Sequence, residues 1–301
     1  MADIVVLKDP VINDPFSKIN NFTYEWIKWF PYVKIAPVNY SFSNDDVIVV
    51  NICDALDPCS PYNINPKCTK IGIVHKINEQ NLKIMNACTY LIYLSPVIES
   101  IANMVGIQKP HHTCPRYPLY EFNGTEVTPV DFAYFGGWFN DTEYDAIHDH
   151  IVKLDSKIPK KIIFNIAYTW GNSDTRLKKI KSILDTVITK KEINNRHIIA
   201  QDTPMSFPVM LFKTRISAYG ALHSNLPSID ETYDLINSKD LSILNYSIGE
   251  SSMLAAMQSS HTNIICDNHI DFISYYNETT KYTYRDFAKD FTYISEKYLL
   301  N

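Results

Sequence analysis

The sequence predicts an α/β protein made of two doubly wound halves, each a parallel sheet covered by helices. Three observations predict it. Short apolar runs alternate with stretches whose apolar residues recur at helical spacing, the pattern of strands joined by helical crossovers. The clearest run, Val47 to Ile52, is nearly continuously apolar, as expected of a strand covered on both faces. The alternation then begins again near Val130, after a stretch with three prolines.

Composition bounds the classes. The chain has 301 residues, enough for two domains of ordinary size. At 46% hydrophobic and 20% charged it has the makings of packed cores. With a net charge of -5 and no uninterrupted basic stripe, a nucleic-acid partner is not expected. No apolar stretch approaches the ~20 residues of a membrane span, and Met1-Ala2-Asp3 opens no secretory signal. A cytoplasmic protein is the expectation, with Cys53, Cys59, Cys68, Cys88, Cys114 and Cys266 as thiols rather than a disulfide framework. The cysteines lack zinc-ligand spacing and no bound metal is expected. Abundant Tyr, Asn, Ile and Lys suit an AT-rich genome, as in some viruses.

In the first half, Ile4 to Leu7 is a strand and Asn21 to Phe30 a helix stopped by Pro31. Val33 to Ala36 and Val47 to Ile52 follow as strands. Asp54 to Lys70, rich in Pro, Asn and Ser, is a loop leaving a buried strand. Ligands of open α/β sheets sit outside the carboxyl ends of strands. Asp54 and Asp57 are therefore site candidates, with Asx turns as their alternative role. The strand Ile71 to Val74 puts His75 at its carboxyl end. Glu79 to Ala87 is a helix, Tyr90 to Leu94 a strand, and Val97 to Val105 a helix stopping at Gly106. Ile107 to Glu121 is a linker or edge segment.

In the second half, Asp131 to Phe135 is a strand entering the turn Gly136-Gly137. Thr142 to Leu154 is a helix, Lys161 to Ala167 a strand, Asp174 to Ile188 a helix and His197 to Ala200 a strand. Phe207 to Leu222 is expected to begin with a helix. After the helix Ile229 to Ser238 comes the stretch Leu241 to Asp267, read as strand, turn, helix and strand. Its turn, Gly249-Glu250-Ser251-Ser252, joins a serine helix cap to free N–H groups that suit an anion. Arg285 to Leu300 is an amphipathic closing helix. The expected division is 1–125, 126–283 and a final helix, 284–301, packing back on the first domain.

The second half resembles the donor domain of GT-B glycosyltransferases, especially the large retaining family with a Rossmann-like carboxy-terminal half. The resemblance lies in Asp131 to Gly137, in Ile162 to Ile166 with Trp170-Gly171-Asn172, and in Asp240 to Leu244. It continues through Ser247 to Ser252 with Ala255-Ala256-Met257, and through Asn263 to Cys266. In the first half, Ile73-Val74-His75 is similar to the family's strand that ends in a histidine at the interdomain cleft. Two glutamates of the family pattern are replaced here by Ser247 and Ala255, and Glu250 stands three positions out of register.

The resemblance implies a GT-B-like pair of Rossmann-like domains facing a cleft. It implies transfer of a sugar from a nucleotide-diphosphate sugar, the donor substrate, to a carbohydrate or glycoconjugate hydroxyl, without a metal or other cofactor. Gly136, Gly137, Gly249, Glu250, Ser251 and Ser252 are the implied donor-binding residues. His75, Asp54 and Asp57 are the catalytic candidates, as an acceptor-side base or, for His75, as a sugar ligand. Two α/β lobes also close on ligands without chemistry. The alternatives are thus a two-lobed binding protein or an inactive relative, then an epimerase or a DNA-glycosylating enzyme.

Overall fold

The computed structural model describes residues 3–7, 18–37, 39–53, 59–60, 62–121, 130–136, 163–168, 197–200, 214–222, 229–238, 244–247, 255, 263–266 and 281–299. Their contacts divide the chain into two compact units. One comprises Met1–Glu121, Asn225–Ala255 and Asp271–Asn301, and the other Phe122–Ser224 and Ala256–Ile270.

The first unit holds a six-stranded sheet in the order β2-β1-β3-β4-β6-β7. Its strands are β1 (Ile4–Leu7), β2 (Val33–Ala36), β3 (Val47–Ile52), β4 (Thr69–Val74), β6 (Tyr90–Tyr93) and β7 (His111–Thr113). All pairings are parallel. β1 and β3 are buried along their whole length, which explains why both read as unbroken or nearly unbroken apolar runs. Two further short strands, β5 (Lys76–Asn78) and β12 (Asn245–Ser247), pair antiparallel beside this sheet.

The helices of this unit have explicit local causes. In α2 (Glu79–Ala87) the Asn78 side chain caps the first turn by accepting from the Asn81 N–H at 2.8 Å. In α3 (Pro96–Met104) Ser95 caps and Pro96 fills a first-turn position that has no need of its missing N–H. α3 ends at Gly106, whose φ of 82° costs glycine little. α1 (Lys18–Ile27) and the closing α5 (Tyr284–Leu299) pack together through rings: Trp26 lies 4.7 Å from Phe291 and 5.6 Å from Phe287, centroid to centroid. Phe22 meets Phe287 at 5.2 Å and Tyr284 at 5.5 Å. Leu119 and Thr283 form a parallel bridge that brings α5 in from the end of the first chain segment. α4 (Ile229–Asn237) completes the set, its Tyr233 hydroxyl donating to Ser100 of α3 at 3.4 Å.

The second unit holds a five-stranded sheet in the order β10-β9-β8-β11-β13. Its strands are β8 (Val130–Gly136), β9 (Ile163–Tyr168), β10 (His197–Ala200), β11 (Thr214–Leu222) and β13 (Asn263–Cys266), all paired in parallel. The opening of the stretch 207–222, expected to be helical, lies outside the described residues, and its remainder, 214–222, is the strand β11. Its small residues Ser217, Ala218, Gly220 and Ala221 read poorly as a strand in isolation. Register against β8 and β13 on both sides decides the matter. The helices expected over 142–154, 174–188 and most of 253–258 lie outside the described residues.

Candidate functional site

Each of the two parallel sheets has a point at which the order of its strands reverses, and α/β sheets take ligands outside the carboxyl ends of the strands there. In the first unit β1 lies between β2 and β3, so the reversal falls between β1 and β3. Asp54 and Asp57 belong to the loop that leaves β3 at this point, but both lie outside the described residues.

The groups that fix the exit of that loop are described. Asn81 of α2 is fully buried. Its amide donates to the Cys53 carbonyl at 3.2 Å and to the Lys76 carbonyl at 3.0 Å. One side chain thus ties the end of β3 to the start of β5. Asn51, buried inside β3, donates its amide to the Thr23 hydroxyl of α1 at 3.0 Å.

His75 stands at the carboxyl end of β4, one strand away, as the sequence places it. It is 3% exposed. Its backbone N–H donates to the Ile52 carbonyl at 2.8 Å, and its ring meets Phe22 edge-on at 4.8 Å. Nε2 lies 3.3 Å from Asn51 Oδ1. Because the Asn51 nitrogen is committed to Thr23, that oxygen accepts, and the imidazole carries its proton on Nε2. Burial drives the pKa of His75 down to about 3, so the ring is neutral. These contacts hold the strand end. They make His75 a support for the loop ends around it.

Asn51 and Asn81 escaped notice in the sequence. Their signal was present: each is a polar residue in a position patterned as core, and such residues are retained when they bond backbone or neighbours.

In the second unit the strands taken in chain order, β8, β9, β10, β11 and β13, are arranged 3-2-1-4-5, which matches five of the six strands of the dinucleotide-binding order 3-2-1-4-5-6. The reversal falls between β8 and β11. Gly136 is the last residue of β8 and lies opposite Ala221 of β11, at this point. Gly137 lies outside the described residues.

Gly249, Glu250, Ser251 and Ser252 also lie outside them, but the strand that leads to them is placed. In the β5–β12 pair, Asn245 faces Asn78, Tyr246 faces Ile77 and Ser247 faces Lys76. The chain therefore enters the Gly249–Ser252 turn from a point opposite the residue that follows His75. Ala255, just beyond the turn, is helical and fully buried. Among the described residues no three His, Cys, Asp or Glu side chains gather as a metal site, and no helix is long and apolar enough to cross a membrane.

No protein-family model and no curated protein matches the chain. Solved structures similar to it include the pneumococcal O-GlcNAc transferase GtfA in complex with UDP and GlcNAc. That likeness has a TM-score of 0.42 and 7% identity over 86% of this chain and 58% of the other. A GtfA/B complex gives 0.37 and 9% over 86% and 58%, and TarM gives 0.34 and 12% over 78% and 55%. The chain thus spans less than two thirds of the length of these structures. Its fold is α/β with a parallel six-stranded sheet, and glycosyltransferases, the class named by the sequence resemblance, are among its solved structural neighbours.

Proposed function

We propose that this protein transfers a sugar from a nucleoside-diphosphate sugar to the hydroxyl of a carbohydrate or glycoconjugate acceptor. The observation that carries this is the 3-2-1-4-5 sheet with Gly136 at its reversal point, the position at which such sheets receive a nucleotide. Breaking the glycosidic bond to the donor leaves a diphosphate whose growing charge needs preorganised donors. The backbone N–H of Gly249 and the hydroxyls of Ser251 and Ser252 have the right chemistry, in a stretch the sequence reads as the start of a helix. Gly136 and Gly137 let the backbone approach the phosphates closely. Glu250 suits a ribose hydroxyl pair. Asp54 or Asp57 takes the acceptor proton if the enzyme inverts. His75, neutral and enclosed, serves as a positioning residue for the loop that carries them. No metal enters this scheme.

A second reading, a binding protein without turnover, is favoured by one observation: the histidine expected to act on substrate is buried and neutral. Thermal-shift and calorimetric titration with UDP, GDP, ADP, CMP and their sugars separates the two. A nucleotide that binds the native state at a hundredfold excess over its Kd adds about 2.7 kcal/mol of stability. Binding that is weakened by Glu250→Ala or Ser252→Ala, with release of the free nucleotide on adding acceptor, supports transfer. Tight binding of an intact nucleotide sugar selects the second reading. A folded protein that responds to none of these ligands sinks both.

A further inference from the structure

The connections from β2 to β3 and from β3 to β4 contain no helix among their described residues. Between them lies an open groove of about 600 Å³, within the ~300–1,000 Å³ of small-molecule sites. Tyr40, Phe42 and Pro66 supply its apolar lining, and Asn39, Asn63 and Asn65 its amides. Among the described residues no charged side chain lines it.

The aromatic wall is held rigid from behind. The Tyr40 hydroxyl donates to Asp3 Oδ2 at 3.1 Å, and Lys34 binds the same oxygen at 2.6 Å. Phe42 packs edge-on against Tyr40 at 4.8 Å and against Tyr62 at 6.1 Å. Tyr62 is itself anchored by donating to the Ala36 carbonyl at 3.2 Å. On the other wall, Asn65 bonds Asn44 and accepts from the Lys67 N–H, which fixes the loop carrying Asn63. The side-chain amides of Asn39 and Asn63 make no hydrogen bond among the described residues and face solvent.

We propose that this groove binds a neutral oligosaccharide. A sugar ring has an apolar C–H face and a rim of hydroxyls that both donate and accept. A fixed aromatic wall meets the first, and amides, which also donate and accept, meet the second. The described lining, with amides and rings and without Lys or Arg, offers a phosphorylated or acidic ligand no cation to pair with. The idea deepens the glycosyl-transfer proposal and rests on it.

The test is an array of neutral glycans probed with the full chain, followed by calorimetry on the best trisaccharide. Phe42→Leu keeps an apolar side chain but removes the ring, and Asn63→Ala alters an exposed amide with little risk to folding. Each should weaken binding about tenfold, the scale of one lost aromatic or hydrogen-bonded contact, while nucleotide binding is unchanged. An array without a neutral ligand overturns the proposal, as does trisaccharide binding indifferent to both variants. Because nucleotide titration runs in parallel, the two ideas fail separately. A nucleotide response without glycan binding removes the groove alone. Glycan binding that the variants weaken, without any nucleotide response, keeps the groove and removes transfer.

Discussion

Ser247 stands directly opposite Lys76 across the antiparallel β5–β12 pair. The loop expected to hold the donor phosphates and the histidine expected to serve the acceptor are therefore joined through one backbone ladder of three residues on each side. A ligand that binds at residues 248–252 is expected to tighten that ladder.

Hydrogen exchange should report this tightening. Peptides covering 76–78 and 245–247 are expected to exchange more slowly once a binding nucleotide is added, because local opening governs exchange in such short paired segments. Protection that spares both peptides while other segments slow would remove the link between this pair and the ligand.

Gly72, in β4, has no room for a side chain. A Cβ there would lie 2.8 Å from Ile52 Cδ1 and 2.9 Å from both Cys88 Sγ and Leu91 Cδ2. All three neighbours are buried and closely packed. Gly72→Ala is expected to cost about 1–3 kcal/mol through overpacking, seen as a lower urea midpoint. Adding Cys88→Ala should recover part of the loss, since touching residues are non-additive. Equal stability of Gly72→Ala and wild type would show that the strand yields more easily than its packing indicates.

His75 sets a pH dependence of known sign. An unperturbed imidazole titrates near 6.5, whereas burial lowers His75 to about 3 in the fold. Between these values the unfolded chain binds a proton that the folded chain refuses. Stability is thus intact above about pH 6.5 and falls as pH drops toward 3, with a slope approaching about 1.4 kcal/mol per pH unit. Urea unfolding at about pH 7.5 and about pH 4.5 should show a smaller difference for His75→Gln than for wild type. Identical differences in both proteins would mean that the buried ring is protonated in the fold after all.

Much of the fold was legible because the strands are short, apolar and bounded by turn residues. Val33–Ala36, Val47–Ile52, His197–Ala200 and Asn263–Cys266 have the bounds the sequence predicts, as does the helix Glu79–Ala87. Lateral order was not legible, since nothing local tells β1 to lie between β2 and β3. Nor was the β5–β12 pair, whose partners are far apart in the chain and too short to show a period. His75 was found at a strand end, but its enclosure depends on Phe22 and Tyr117, which approach from other segments. Asp54, Asp57, Gly137 and the four residues of the Gly249–Ser252 turn lie beyond what the structure describes.

The seating of α5 on α1 bears on how the protein is made. Trp26 and Phe22 emerge from the ribosome long before Tyr284, Phe287 and Phe291, which cover them from far along the chain. Throughout translation of the intervening chain the part of this aromatic surface that α5 covers stays open. The growing polypeptide must pass through a prolonged sticky stage, and premature termination before residue 284 would leave a product fit for chaperones and proteases rather than a folded unit.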